Sequence, residues 1–250
     1  AVEMLAKLEE IRPDGVIVQD LGVAKLVREH FPKLELHAST QLVAHNLEGV
    51  LALRELGFRR VVLARELSLA EIAAIAQRCG ARKMAADGRP ELELEVFVHG
   101  ALCYSISGLC LFGAMEKGRS GNRGRCPYCC RQGLPDVTGE MRYPFSMKDL
   151  RLGMDVRKLV EVGVSSLKIE GRMKSSLYVA SVTRAYRDLL DGTLAHVTSA
   201  DLETVFSRRT TELYFNGRTG ESPIDAESLG HLGAPIGTVK RVTKDRDGLS

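Results

Sequence analysis

The sequence predicts an α/β fold with a parallel sheet, organised as a TIM-like (β/α) barrel whose first strands precede Ala1 and followed by the start of a small β-rich C-terminal domain. Three observations predict it. Short apolar runs alternate with stretches of helical period, which places parallel strands between crossover helices. Each apolar run ends in polar, chemically capable residues, as strands do when the site lies at the C-terminal end of a barrel. The alternation then stops near Gly192.

Residues 1–12 read as a helix through Met4, Leu5, Leu8 and Ile11, closed by Pro13 and the Asp14-Gly15 turn. A strand at Val16–Val18 precedes a helix over Ala24–Phe31, and a strand at Leu34–His37 precedes a helix over Val43–Leu56. A third strand, Val61–Leu63, leads to a helix over Leu69–Arg78. A fourth, Leu92–Val98, enters a Cys-rich stretch, and a fifth, Ser166–Ile169, leads to a helix over Leu177–Leu190. The strand ends carry Gln19-Asp20, His37 through Gln41, Arg65-Glu66, His99-Gly100 and Glu170-Gly171-Arg172. Any one of these groups could be a helix cap; five in succession suggest a site. Eight strands close a barrel and five are visible, so three are expected before Ala1. Residues 1–192 are then a partial barrel with a Cys-rich insertion at 103–130. Residues 193–219 form a linker with a helix at Ser199–Phe206 and a strand near Leu213–Phe215. Residues 220–250 open a β-domain with a strand at Ala234–Val242.

With 250 residues and 44% hydrophobic content the chain can bury one large core or two modest ones, and 27% charged residues argue against wholesale disorder. No apolar run is long enough to span a bilayer and no secretory pattern opens the chain, so a cytoplasmic setting is expected. The net charge is +3, yet His99–Ala185 alone holds 14 Lys or Arg against 7 Asp or Glu. A basic centre of this kind points to an anionic partner such as RNA, or to a solvated basic face.

Five of the six cysteines form the run Cys103-x6-Cys110-x15-Cys126-x2-Cys129-Cys130. In a chain without a secretory signal such clustering reads as metal binding, since thiolates suit iron–sulfur clusters and zinc. The intervening glycines let backbone wrap closely round a centre. The ligand candidates are Cys103, Cys110, Cys126 and Cys130, with Cys129 in reserve; Cys79 reads as a core residue. Spacing alone leaves iron–sulfur and zinc both open. The Cys126-Pro127-Tyr128-Cys129 segment also resembles a dithiol redox motif, but it follows an Arg/Gly loop and not a strand.

The stretch Glu95-Val96-Phe97-Val98-His99-Gly100-Ala101-Leu102-Cys103, followed by Gly108-Leu109-Cys110, resembles the motif of peptidase family 32 of the unknown-mechanism (U) class, the collagenase-like proteins. Val18-Gln19-Asp20, His37 through Gln41, Arg65-Glu66, Gly118 through Gly124 and Lys168 through Arg172 are similar too, so the likeness runs over about residues 10–240. The resemblance implies a TIM-like barrel and, for its better-understood members, hydroxylation of a pyrimidine base in tRNA or rRNA. It implies an iron–sulfur cluster (4Fe-4S) on cysteines of this region, with prephenate as hydroxyl source. Two departures stand out: Gly113 replaces a usual Ser, and Arg151 follows Lys148-Asp149-Leu150 where several members have a Cys ligand.

On this reading His37, Gln41, Arg65, Glu66, His99 and Glu170 line the barrel mouth as catalytic candidates, with His99 and Glu170 handling protons. Arg119, Arg123, Arg125, Lys168, Arg172 and Lys174 hold RNA phosphates, while Tyr128 or Tyr143 stacks a base. A metal-dependent peptidase using His37, His99 and Glu170 is the alternative; no Ser-His-Asp grouping, zincin helix or Asp dyad is recognisable. A metal-stabilised RNA-binding scaffold without catalysis is the third.

Overall fold

A computed structural model describes the chain except residues 172–173, 194–197, 207, 219, 234–236, 243, 246–247 and 250. It is a mixed α/β structure. In chain order come α1 (Val2–Ile11), β1 (Val16–Val18), α2 (Leu21–His30), β2 (Leu36–Ala38), α3 (Leu47–Glu55), β3 (Arg60–Val62), α4 (Leu69–Arg78) and β4 (Glu93–Ala101). Next are α5 (Phe112–Lys117), β5 (Leu134–Pro135), β6 (Met141–Arg142), β7 (Asp149–Arg151), α6 (Val156–Val162), β8 (Ser166–Ile169), α7 (Ser176–Asp191) and α8 (Ser199–Val205). Strand β9 (Thr210–Thr211), β10 (Lys244–Asp245) and β11 (Gly248–Leu249) complete the chain. None of the described helices is long and apolar enough to cross a membrane.

Strands β1, β2, β3, β4 and β8 are mutually parallel, in that spatial order. Val16 and Val18 are buried while Ile17 between them is 57% exposed, the alternation of a sheet covered on one face. The covered side packs against α2, α3 and α4 through Val27, Val50, Ile72 and Ile75. Two of the polar strand ends prove to be caps. Asp20 accepts the Val23 N–H at 2.9 Å, opening α2, and Ser39 caps a short turn by accepting from Gln41. Ser68 and Glu71 form a capping box at α4.

The sheet's other face is charged. His37, Arg60 and Glu93 are in register across β2, β3 and β4. Arg89 joins Glu35 to Glu93 at 2.8 Å each, Arg60 joins Glu93 (2.6 Å) to Glu95 (3.4 Å), and Lys168 meets Glu95 at 2.7 Å. Hydrogen bonding to Arg89 holds the Glu35 carboxyl down at about 2, against the opposing effect of burial. Carboxylates this buried persist because each has a cationic partner.

At its far end β4 bends. Its pairing with β8 shifts between Phe97 and His99, and β7 then pairs with it antiparallel from His99 to Ala101. Gly100 sits here at φ 111°, where a Cβ would stand 2.3 Å from the Glu170 carbonyl oxygen. Gly100→Ala is therefore expected to cost about 2–3 kcal/mol, from left-handed strain plus a backbone collision, read as a lowered urea midpoint at unchanged slope.

Strand β7, helices α5 and α6 and the β5–β6 hairpin are not anticipated by the sequence pattern; they are short, and β7 carries two charged residues in three. The strand expected at Leu213–Phe215 is instead a turn, in which Leu213 adopts φ 53°. That reversal drops Phe215 into the core beside α4, where its carbonyl accepts the Leu69 N–H at 2.9 Å. Of the strand expected at Ala234–Val242, residues 237–242 are not in a strand and the first three lie outside the described residues. Within residues 193–250, strand β9 pairs with β7, and Ile224 forms a bridge with Met147.

Candidate active site

The C-terminal ends of β2, β3, β4 and β8 open into a cavity of about 720 Å³. Cys103 follows the end of β4 and Cys110 precedes α5, while Cys126, Cys129 and Cys130 lie on the returning loop; all five line the cavity. Burial raises the Cys103 thiol, and charge at Cys110 and Cys126 adds to this while Arg65 opposes it. Burial likewise raises Cys130, with Cys103, Cys126 and Cys110 each contributing. At Cys110 burial is outweighed by hydrogen bonds from Ser105 and from the Phe112 and Gly113 N–H groups, so this thiol ionises more easily than usual. Charge at Cys110 and Cys126 thus reaches both Cys103 and Cys130. Cys129 is buried at 5% exposure, and Cys79 is fully buried in the core. Among the described residues no three His, Cys, Asp or Glu gather tightly enough to hold a single metal ion. The thiols surround a space; they do not converge on a point.

The loop carrying them is tied down from below. Gln19 donates to the Asn122 carbonyl, and Gln41 Nε2 reaches Gly108 O and Asn122 Oδ1 at 3.3 Å each. Glu66 accepts the Ser107 N–H at 2.8 Å and its hydroxyl at 2.7 Å. Arg131 donates to Ser146 Oγ at 2.7 Å, to Met147 O and to Leu102 O at 3.3 Å, joining the residues beside Cys103 and Cys130. Gly113 packs on Pro127: a Cβ there would lie 2.5 Å from the proline ring.

Among the catalytic candidates, Gln41, Arg65 and Glu170 line the cavity, as do Lys168 and Tyr128 from the RNA-binding set. Arg65 stacks on Phe97 with its guanidinium carbon 4.0 Å from the ring centre and faces Glu170 at 4.0 Å. Its Nε and the Thr40 hydroxyl are buried on this wall without a hydrogen-bond partner among the described residues. Glu66 does not line the cavity, because both carboxylate oxygens are occupied by Ser107. His37 is likewise elsewhere, with Nε2 2.9 Å from Glu35 within the charged ladder.

His99 is buried between Tyr178 and Tyr186, its Nδ1 3.2 Å from the Tyr186 hydroxyl, outside the cavity. Burial, with help from Arg151 and Lys174, pushes its pKa down to about 4. It is therefore neutral near pH 7, and its protonation favours the unfolded chain. Stability linked to His99 is present above about pH 6.5 and is lost as pH falls towards about 4, a contribution on the order of 3 kcal/mol. Urea melts at pH 7.5 and 4.5 are expected to show a smaller pH effect in His99→Gln than in the unsubstituted chain.

Arg119, Arg123 and Arg125 line a second cavity of about 620 Å³ with Ser120, and among the described residues no acidic side chain lines it. Lys174 lies over the Phe206 and Tyr178 rings, and burial lowers its pKa to about 8. Tyr143 is outside both cavities, and Arg172 lies outside the described residues. Arg151 is on β7 with its guanidinium 3.9 Å from Glu203, away from the thiols. Sequence reasoning does not find Tyr104, Phe145 and Arg208 of the cavity wall.

Fold and site together define an α/β protein with a thiol-lined cavity at the ends of a parallel sheet. The chain belongs to peptidase family U32, whose model matches residues 1–225. It is 36% identical over 98% of its length to the 23S rRNA 5-hydroxycytidine C2501 synthase of Escherichia coli, covering 38% of that protein. It is 35% identical to tRNA hydroxylation protein P of Helicobacter pylori over 88% of this chain and 54% of the other. A collagenase of Porphyromonas gingivalis is 32% identical over 83% of this chain and 53% of its own. The chain thus spans about half the length of most such relatives.

Proposed function

We propose that this chain forms the cluster-binding part of an enzyme that hydroxylates a pyrimidine base in tRNA or rRNA, using an iron–sulfur cluster. The observation that carries this reading is the set of thiols, Cys103, Cys110, Cys126 and Cys130, lining one cavity. Cys103, Cys110, Cys126 and Cys130 would hold the cluster, whose spread of ligands suits a multi-iron centre better than one zinc ion. When bound, the cluster supplies electron-transfer chemistry. Tyr104, Tyr128 and Phe145 offer faces on which an extruded base can stack. The orphan Arg65 Nε and Thr40 hydroxyl give the wall hydrogen-bond donors for a polar small molecule, in keeping with a separate hydroxyl donor such as prephenate. The arginine cavity faces no carboxylate and suits phosphates. Acting on such RNA, the enzyme would work in the cytoplasm.

A parallel sheet with helices on one face and a charged ladder on the other supports a sector of a TIM-like barrel. The peptidase reading loses its ligand set, since His37 and His99 stand apart from the cavity. Purification without oxygen is expected to give a brown protein with about four irons and matching acid-labile sulfide per chain. A colourless chain carrying zinc would end this proposal. Where iron is found, RNA from a deletion strain should lack one hydroxylated pyrimidine by mass spectrometry.

A further inference from the structure

Glu66, beyond the end of β3, has both carboxylate oxygens engaged. Its two oxygens accept the backbone N–H and the hydroxyl of one residue, Ser107, at 2.8 and 2.7 Å. Ser107 is fully buried and sits at φ 46°, a left-handed conformation that a residue with a Cβ adopts only when its surroundings impose it. It lies between Cys103 and Cys110 in sequence. The loop is thus strained at its midpoint, and a carboxylate on a rigid sheet end holds the strain in place. We infer that Glu66 is a positioning residue for the metal centre, fixing Cys103 relative to Cys110 through the buried, left-handed Ser107.

The clamp has a second tether. Gln41 holds the neighbouring Gly108 carbonyl and also Asn122 Oδ1, which accepts the Cys110 N–H at 3.5 Å. Gln41 and Glu66, at neighbouring strand ends, therefore spend their side chains on the thiol loop. Outer groups that orient metal ligands affect metal retention nearly as much as the ligands do. A glutamine at position 66 can preserve the arrangement, its carbonyl accepting the Ser107 N–H and its amide donating to the hydroxyl, which rotates to suit. A leucine cannot.

This inference rests on the reading of the thiols as cluster ligands, and the test separates the two. The first arm uses the intact metal-free chain under reducing conditions, alkylated with iodoacetamide and followed cysteine by cysteine by mass spectrometry. Glu66→Leu should speed labelling of Cys103 by about ten-fold or more, and Glu66→Gln should restore it to within about three-fold. Cys79, buried in the core, reports global unfolding and should stay unlabelled. If Cys79 labels in Glu66→Leu, the milder Ser107→Ala takes its place, with an expected rise of several-fold. The second arm uses the anaerobically reconstituted chain, in which Glu66→Leu should release iron to a chelator about ten-fold faster and alter the visible spectrum, while Glu66→Gln matches the unsubstituted chain.

Unchanged Cys103 labelling, or unchanged iron release and spectrum in a folded Glu66→Leu or Ser107→Ala chain, overturns the inference and leaves the cluster standing. An unsubstituted chain that takes up neither iron nor sulfide removes the cluster, and the assignment of Glu66 to it falls as well.

Discussion

Cys130→Ser is expected to strip the protein of most of its iron, whereas Cys129→Ser should leave iron content near that of the unsubstituted chain. The two cysteines are adjacent and both line the cavity, so sequence spacing gives no reason to prefer either. Geometry does. Cys130 is half-buried and feels charge at Cys103, Cys126 and Cys110, while Cys129 is at 5% exposure. A cluster that loses one of four thiolates either drops an iron or disassembles, so a fall of at least about half in bound iron is the expected scale. Iron and acid-labile sulfide per chain after anaerobic reconstitution measure it. Equal losses from both variants would mean that the returning loop contributes its ligand in another way.

The second large effect concerns the arginine cavity. Replacing Arg119, Arg123 and Arg125 together with Ala should weaken RNA binding by more than about ten-fold at low salt. It should also flatten the dependence of log affinity on log salt by roughly two to three, one counterion for each phosphate that the arginines no longer neutralise. None of the three is paired with a carboxylate among the described residues, so no internal partner is orphaned and stability should hardly change. Filter binding of a single-stranded RNA across a salt series gives both numbers. An unaltered slope would show that these residues only form a solvated face.

Much of the parallel sheet is legible in the sequence because its strands are apolar runs set between helices of clear period; Leu69–Arg78 and Ser166–Ile169 match to the residue. The rest is hidden by physics that is not local. Strand β7 is three residues long and exists because β4 bends at the Phe97–His99 bulge and offers it an edge. Phe215 reaches the core through a left-handed Leu213, which no periodicity announces. At the site, residue types point to thiol chemistry, and the structure brings those thiols together. The polar strand ends are harder to interpret. A carboxylate such as Glu66 looks the same in sequence whether it faces a substrate or a serine hydroxyl, and His99 looks the same whether it shuttles protons or sits neutral between two tyrosines. Only burial and partners distinguish them.

The contact between Gly113 and Pro127 bears on how this chain can change over generations. Any side chain at 113 would meet the Pro127 ring, 2.5 Å from the Cβ position. The Arg119 carbonyl oxygen closes in from the other side, 2.9 Å from the same Cβ position, so a smaller residue at 127 relieves only part of the collision. Substitutions at 113 should therefore be rejected more broadly than those at 127, where a residue smaller than proline only loosens the contact.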